Sequence, residues 1–418
     1  MKININPSKI QGKINAPASK SMLIRAIAAG VLSKGTTTIE SFTVCNDSQT
    51  AVNIAKLLGA EIEICNNKML IISKNINKIP SFNCRESALC VHIFTPVTAL
   101  FSDEFIIFGE NTLTKRDISS LLQSLNLLGL KCNDTKYLPV KLIGNLQNGN
   151  IKIDGSAGSQ TLSGLLMTLP LCKGNSVIDV ENLKSKPYID LTISVLELFN
   201  IKIENENYSR FFVKGNQKYQ ATTINIAGDW SGASCLLAAA AINGEIIVEN
   251  LNPQSLQADV AMLDVLRLCG ANINVENNKI AVKKNQLNAF DFDASDCPDL
   301  FPAIVALAAN CCGTSKIKGI ARLKNKESNR AETLQREFAK LNVKIDLRDD
   351  EMYINGGKII STIVNSQGDH RIAMSLAATA INGNGCTTIE NAECVAKSYP
   401  DFWKDFVSIL HSTSQNSP

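Results

Sequence analysis

The sequence predicts an α/β fold of six repeated helix–strand units, three in each of two domains, with the apolar helix of each unit in a core. Three observations carry this expectation. An Ala/Leu-rich segment, a small-residue turn and a β-branched strand recur six times, at a period of about 70 residues, too long for a short solenoid repeat. Between these copies lies a second pattern of amphipathic helix, break and alternating strand. Finally, 418 residues exceed what one core normally organises, so two or three domains are expected.

The Ala/Leu-rich copies span Arg25–Phe42, Phe94–Asn111, Ser163–Asn182, Ala233–Asn250, Pro302–Ile320 and Ile372–Asn391. Their helical parts are apolar nearly all round, which predicts core helices. The intervening pattern is clearest at Asp259–Gly270. Val260, Leu263, Leu266 and Leu268 form its apolar face, and Gly270 suits a left-handed C-terminal position. In the following strand, Ala271–Val275, Ile273 and Val275 alternate with asparagines, as a half-exposed strand requires. Gly228 and Gly232 bracket an expected hinge at the midpoint, and the tail after His411 is expected to be disordered.

Composition excludes several classes. Forty-two Lys and Arg against 39 Asp and Glu leave a net charge of +3, too balanced for coating nucleic acid. Thirteen cysteines lie scattered without a Cys-x-x-Cys, and only His92, His370 and His411 could join them, so a zinc framework is not expected. An odd cysteine count, mostly in apolar runs, points to buried, reduced thiols in the cytosol. The N-terminus has no apolar signal core and no apolar run is long enough to span a membrane, so a soluble cytoplasmic protein is expected.

Chemistry gathers at predicted helix starts. Ser19-Lys20-Ser21 with Arg25, Lys115-Arg116, Lys326-Glu327-Ser328-Asn329-Arg330, Asp369-His370-Arg371 and Lys397 lie there, as does the small, hydroxylated run Gly155–Gln160. Helix starts offer free amides and partial positive charge, and arginine adds a bidentate fork for phosphate or carboxylate. Each motif also has a plain reading: a solvated charge, a turn, a structural His370, or Asp299 as the cap of the helix at Phe301–Ala309. Recurrence in both halves of the chain favours a multiply charged anionic ligand.

Nine ordered segments, from APASKSMLIRA through GENTLTKRD, IDGSAGSQTLSGLLMT, SKPYIDLT, GDWSGASCLLAAAAI, CPDLFPAI, KESNRAETL and GDHRIAMS to AKSYPDF, closely resemble the 5-enolpyruvylshikimate-3-phosphate synthase family. The resemblance runs from Pro17 to Asp401. It implies the two-domain enolpyruvyl transferase fold, inner helices with outer sheets, with a discontinuous first domain of residues 1–18 and 229–418 and a second of 19–228. It implies transfer of the enolpyruvyl group of phosphoenolpyruvate to the 5-hydroxyl of shikimate-3-phosphate, with release of phosphate, in aromatic amino acid biosynthesis. The hydroxyl adds to C2 as C3 is protonated, and the tetrahedral intermediate then loses a C3 proton and phosphate. No metal or organic cofactor, nucleic acid or membrane partner is implied, and a monomer is expected.

By the same resemblance, Lys20, Ser21, Arg25, Ser159, Gln160, Ser185, Tyr188, Asp299 and Lys326 would hold shikimate-3-phosphate. Lys20, Arg116, Gln160, Arg330, Arg371 and Lys397 would surround phosphoenolpyruvate. Asp299 is the candidate base for the 5-hydroxyl. Glu327 is the candidate proton shuttle at C3, with Lys20 as the alternative, while Lys397 and His370 would support the chemistry at the phosphate end. The chain departs from the family pattern at Arg85-Glu86-Ser87-Ala88, where an amide and a glycine are usual, and at His92, Thr112, Gly158 and Asn329. The methyl of Ala88 is expected to obstruct the herbicide glyphosate more than phosphoenolpyruvate. The related transferase acting on UDP-N-acetylglucosamine should carry Lys-Asn at Lys20-Ser21 and a reactive loop cysteine, which this chain lacks. RNA 3′-phosphate cyclases should be more basic. A non-catalytic anion-binding homologue is the alternative from another class, and phosphate release would separate it.

Overall fold

Alanine and leucine on every side of a helix leave it no face for water, and all six such helices are buried. In the computed structural model, which describes residues 1–133 and 135–412, the chain forms two compact units, Ala18–Ile226 and Met1–Pro17 with Ala227–Pro418. The tail expected to be disordered lies, beyond Ser412, outside the described residues.

In the unit Ala18–Ile226, the buried helices are α1 (Lys20–Leu32), α3 (Ala88–Ala99) and α5 (Gln160–Thr168). Helices α2 (Asn46–Leu57), α4 (Ser119–Leu127) and α6 (Pro187–Leu198) are amphipathic. The packing of α3 on α5 depends on Gly164: a Cβ there would lie 1.9 Å from the carbonyl oxygen of His92. Three four-stranded sheets share one design, a parallel pair followed by an antiparallel hairpin. The parallel pairs are Gly35–Glu40 with Thr223–Asn225, Ser81–Asn83 with Glu104–Phe108, and Asn150–Asp154 with Ser176–Glu181. The unit closes on itself because its last strand completes the first sheet.

The second unit repeats the plan. Helices α7 (Trp230–Asn243), α9 (Phe301–Ala309) and α11 (His370–Ala380) are buried and pack on one another. Helices α8 (Met262–Leu268), α10 (Arg330–Lys340) and α12 (Phe402–Ser408) bury one face. Its parallel pairs join Ser8–Asn15 to Gly244–Glu249, Asp291–Asp293 to Thr314–Lys318, and Ile363–Asn365 to Thr387–Glu390. Strands Lys2–Ile5 and Ser8–Asn15 both pair inside this unit, which is why its chain is discontinuous.

Several expectations needed correction. The helix read over Asp259–Gly270 begins as a 3-10 turn at Ala258–Ala261 and is α-helical only over Met262–Leu268. Met262, Leu263, Val265 and Leu266 are its buried residues, while Leu268 is exposed. At about 100° per residue, Leu268 lies about 160° from Leu266, off the face that the core covers. Gly270 does adopt a left-handed φ of 83°. Gly232 lies within α7 and Gly228 has ordinary φ; a Cβ on Gly228 would fall 1.9 Å from the carbonyl oxygen of Asn250, so close packing explains this glycine. All thirteen cysteines are free, but Cys65, Cys312 and Cys386 are exposed rather than buried.

Candidate active site

Helix starts carry most of the candidate site residues in both units, but Lys115-Arg116 and Lys397, expected at helix starts, lie instead at the ends of the 3-10 turns Asn111–Lys115 and Ala392–Lys397. In the unit Ala18–Ile226, Ser19 caps α1 by accepting from the Met22 amide, which fixes Lys20, Ser21 and Arg25 on the first turns. Lys20 Nζ pairs with Asp47 Oδ2 at 2.9 Å; Asp47 lies in the first turn of α2. Arg25 is only 1% exposed. Its guanidinium donates to Thr192 Oγ1 at 2.8 Å, the Ser21 carbonyl at 2.9 Å, Ser163 Oγ at 3.3 Å and the Tyr188 carbonyl at 3.5 Å. Among the described residues no carboxylate pairs with it. Burial therefore lowers its pKa to about 10, with only the Tyr188 hydroxyl opposing.

Ser159 and Ser185 are buried, the first directly before α5 and the second at a left-handed φ of 58° just before α6. Gly158 has φ 129°, so the departure from serine has a backbone reason. Gln160 opens α5 and Tyr188 lies in the first turn of α6. Arg116 is buried at the end of the 3-10 turn Asn111–Lys115. Half-buried His92 contacts Thr161 Oγ1 through Nδ1 at 3.1 Å. Burial and the nearby Arg116 charge push its pKa down to about 4, so this ring is neutral at pH 7. In the departing loop, Arg85 takes φ 48°, Ser87 caps α3, and Ala88 is the first helical residue.

The second unit holds a network of carboxylates and cations. Arg330, buried at the start of α10, donates to Asp299 Oδ1 at 2.7 Å, Glu327 Oε2 at 2.6 Å and Asp369 Oδ2 at 2.8 Å. Asp299 also meets Lys326 Nζ at 3.3 Å and Arg371 Nη2 at 3.3 Å. Burial alone would raise the Asp299 pKa, but Arg371, Lys326 and Arg330 hold it well below the usual carboxylate range. Burial lowers the Lys326 pKa, whereas Asp369, Glu327 and Asp299 outweigh burial and raise that of Arg330. Asp369 caps α11, accepting from the Arg371 amide at 3.0 Å, and His370, next to it, and Lys397 are both buried.

One alternative reading falls in this network. Asp299 does not cap α9, whose N-cap is Leu300; its carboxylate turns to the cations instead. Arg330, expected to help surround phosphoenolpyruvate, has all three guanidinium nitrogens engaged by carboxylates. Sequence reasoning also missed Asp47, Ser163, Thr192 and Asp369 as the groups that position the cations. Only Asp369, after Gly368 and before His370, carried an N-cap signal.

Six repeated units thus place cationic and hydroxylated side chains near helix starts, and in the second unit carboxylates lie among cations. The family model described as EPSP synthase (3-phosphoshikimate 1-carboxyvinyltransferase) matches residues 5–406. The chain is 36% identical over 412 residues to the 3-phosphoshikimate 1-carboxyvinyltransferase of Clostridium acetobutylicum, covering 96% of each chain. It is 34% identical over 421 residues to that of Clostridium novyi, covering 97% of each. The fold also matches EPSP synthase from Acinetobacter baumannii with TM-score 0.81 at 23% identity, over 98% of each chain. The chain belongs to the EPSP synthase family. This family transfers the enolpyruvyl group of phosphoenolpyruvate to shikimate-3-phosphate, in the shikimate pathway of aromatic amino acid biosynthesis.

Proposed function

We propose that this chain catalyses the family reaction at the 5-hydroxyl of shikimate-3-phosphate with the residues its sequence motifs mark. Arg25 and Ser21 take the shikimate carboxylate, Ser159 and Ser185 the 3-phosphate, and Gln160 and Tyr188 the ring. Lys326 and Asp299 take the ring hydroxyls. Lys20, Arg116, Arg330, Arg371 and Lys397 take phosphoenolpyruvate, with Gln160 beside it and His370 at its phosphate end. The observation that carries this reading is Arg25: a wholly buried guanidinium whose partners are hydroxyls and carbonyls. A charge kept at that cost, with no carboxylate beside it, suits an anionic ligand.

The network also supplies a reason for proton transfer to await substrate. Asp299 is too weakly basic while Lys326, Arg330 and Arg371 hold it. Substrate phosphates and carboxylates compete for those cations, and each cation withdrawn raises the proton affinity of Asp299 toward that of a useful base. A phosphoenolpyruvate carboxylate that takes Arg330 displaces Glu327, whose freed carboxylate then gains affinity for the proton it must carry to and from C3. Asp299 accepts the 5-hydroxyl proton as the oxygen bonds to C2. Glu327 or Lys20 protonates C3, then removes a C3 proton as the C2–phosphate bond breaks.

We place the enzyme in the cytoplasm as a monomer. Thirteen free thiols fit a reducing compartment, and among the described residues no helix is long and apolar enough to cross a membrane. The test mixes the protein with both substrates, without added metal, and measures inorganic phosphate. Release matched by enolpyruvylshikimate-3-phosphate is expected. Binding of both substrates without release would overturn the reading in favour of a non-catalytic homologue.

A further inference from the structure

The two serines assigned to the 3-phosphate stand at the ends of turns that leave neighbouring strands. The parallel strands Asn150–Asp154 and Ser176–Glu181 finish level, with Asp154 opposite Glu181. One turn then runs over residues 155–159 to Ser159 before α5, the other over residues 182–185 to Ser185 before α6. The turns touch, since a Cβ on Gly155 would lie 2.8 Å from Leu183 Cα. The Gly155 carbonyl accepts from the Gly158 amide at 3.0 Å and from the Lys184 amide at 3.2 Å. Those two residues directly precede Ser159 and Ser185. The Asp154 carboxylate also binds both turns. Its Oδ1 accepts from the Ser156 amide at 3.1 Å and from Asn182 Nδ2 at 3.2 Å, and its Oδ2 accepts from Ser156 Oγ at 2.5 Å. Asn182 and Ser185 both have left-handed φ, 54° and 58°. Side chains seldom adopt that region, and it persists where surrounding bonds fix it.

We propose that Asp154 is a positioning residue for shikimate-3-phosphate: its carboxylate ties the turn that presents Ser159 to the turn that presents Ser185, so both serines are preset for the 3-phosphate. This rests on the functional reading above. The negative charge of Asp154 does not attract the ligand, because anions repel one another. The carboxylate acts as an acceptor instead. Its three hydrogen bonds order two turns that would otherwise lose chain entropy on meeting the phosphate, which weakens binding. The same joint recurs with asparagine. Asn365 Oδ1 accepts from the Gln367 amide at 2.8 Å and from Asn391 Nδ2 at 2.9 Å, at the end of the parallel pair that leads to α11. Asn83 Oδ1 accepts from the Arg85 amide at 2.8 Å ahead of α3. An asparagine at position 154 would therefore keep both Oδ1 bonds, and its amide would donate to Ser156 Oγ.

The experiment measures kcat, the KM of each substrate and the Kd of shikimate-3-phosphate by titration calorimetry. It compares the wild type with Asp154→Ala, Asp154→Asn and Asn182→Gly, with thermal melts alongside. Asp154→Ala should raise the KM and Kd of shikimate-3-phosphate on the order of tenfold. Its kcat and its KM for phosphoenolpyruvate should stay within about twofold of wild type, because binding lost equally from ground and transition states leaves turnover alone. Asp154→Asn should bring the Kd back to within about threefold of wild type, since shape and acceptor remain. Asn182→Gly keeps the left-handed backbone but removes the bridge between the turns, and should raise the Kd roughly threefold. An unchanged Kd in Asp154→Ala overturns the inference, whatever the melts show. So does an equal loss in Asp154→Asn, or a parallel rise of both KM values in Asp154→Ala. If Asp154→Ala does not fold, Asn182→Gly decides, and an unchanged Kd there overturns the inference. A wild type that binds no shikimate-3-phosphate would overturn the functional reading instead.

Discussion

Replacing Arg25 by methionine separates what that side chain does for the fold from what it does for a ligand. The fall in its pKa from the ordinary value to about 10 corresponds to about 3 kcal/mol by which burial disfavours the charged form. Methionine removes that penalty together with hydrogen bonds worth about 1 kcal/mol each. Few partners are stranded. The hydroxyls of Ser163 and Thr192 still bond each other at 2.9 Å, and the Tyr188 carbonyl still accepts from Thr192 at 2.7 Å. The two effects nearly cancel, so urea unfolding without ligand should change by no more than about 2 kcal/mol. Removing one partner of a buried ion pair typically costs more, about 3–5 kcal/mol. Binding should respond very differently. Loss of a buried charge-assisted bond costs roughly 2–5 kcal/mol, a roughly 30- to 5,000-fold weaker shikimate-3-phosphate complex by titration calorimetry. Unfolding that costs more than about 4 kcal/mol, with binding intact, would refute the reasoning and make Arg25 a structural strut.

Three further predictions follow from named contacts. His92 has a folded pKa of about 4, below its unfolded value, so the unfolded chain binds more protons between about pH 4 and 6.5 and stability falls as pH drops through that window. The loss should reach about 3 kcal/mol, and His92→Gln should lack that part of the acid-unfolding profile. Glu327→Gln keeps a side chain that can bond Arg330 but cannot carry a proton. Turnover should fall roughly 10²–10⁴-fold with shikimate-3-phosphate binding retained, and normal turnover would move the proton role to Lys20. Gly164→Ala places a methyl 1.9 Å from the His92 carbonyl oxygen, so α3 and α5 must separate. A melting temperature lowered in line with about 2–3 kcal/mol is expected, and an unchanged melt would show that the helices part without cost.

The sequence by itself determined the repeat, because a helix apolar on every side has nowhere to go but a core, and six such helices need six sheets to cover them. It also marked candidates for the chemistry: Lys20, Arg25, Asp299, Glu327 and Lys397 stand out because motif order and residue chemistry survive in one dimension. The limits of α8 were not legible, since Val260, on the preceding 3-10 turn, and exposed Leu268 look in sequence like parts of one apolar face. Only the tertiary structure decided that Arg25 meets hydroxyls from α5 and α6, and that Arg330 is shared by three carboxylates. It alone brought Asn182 to Asp154. Apart from Arg330 with Glu327, these pairings join residues separated by 28 to 167 positions. Their charge balance depends on burial and on distances of a few ångströms, and neither quantity exists until the helices have packed.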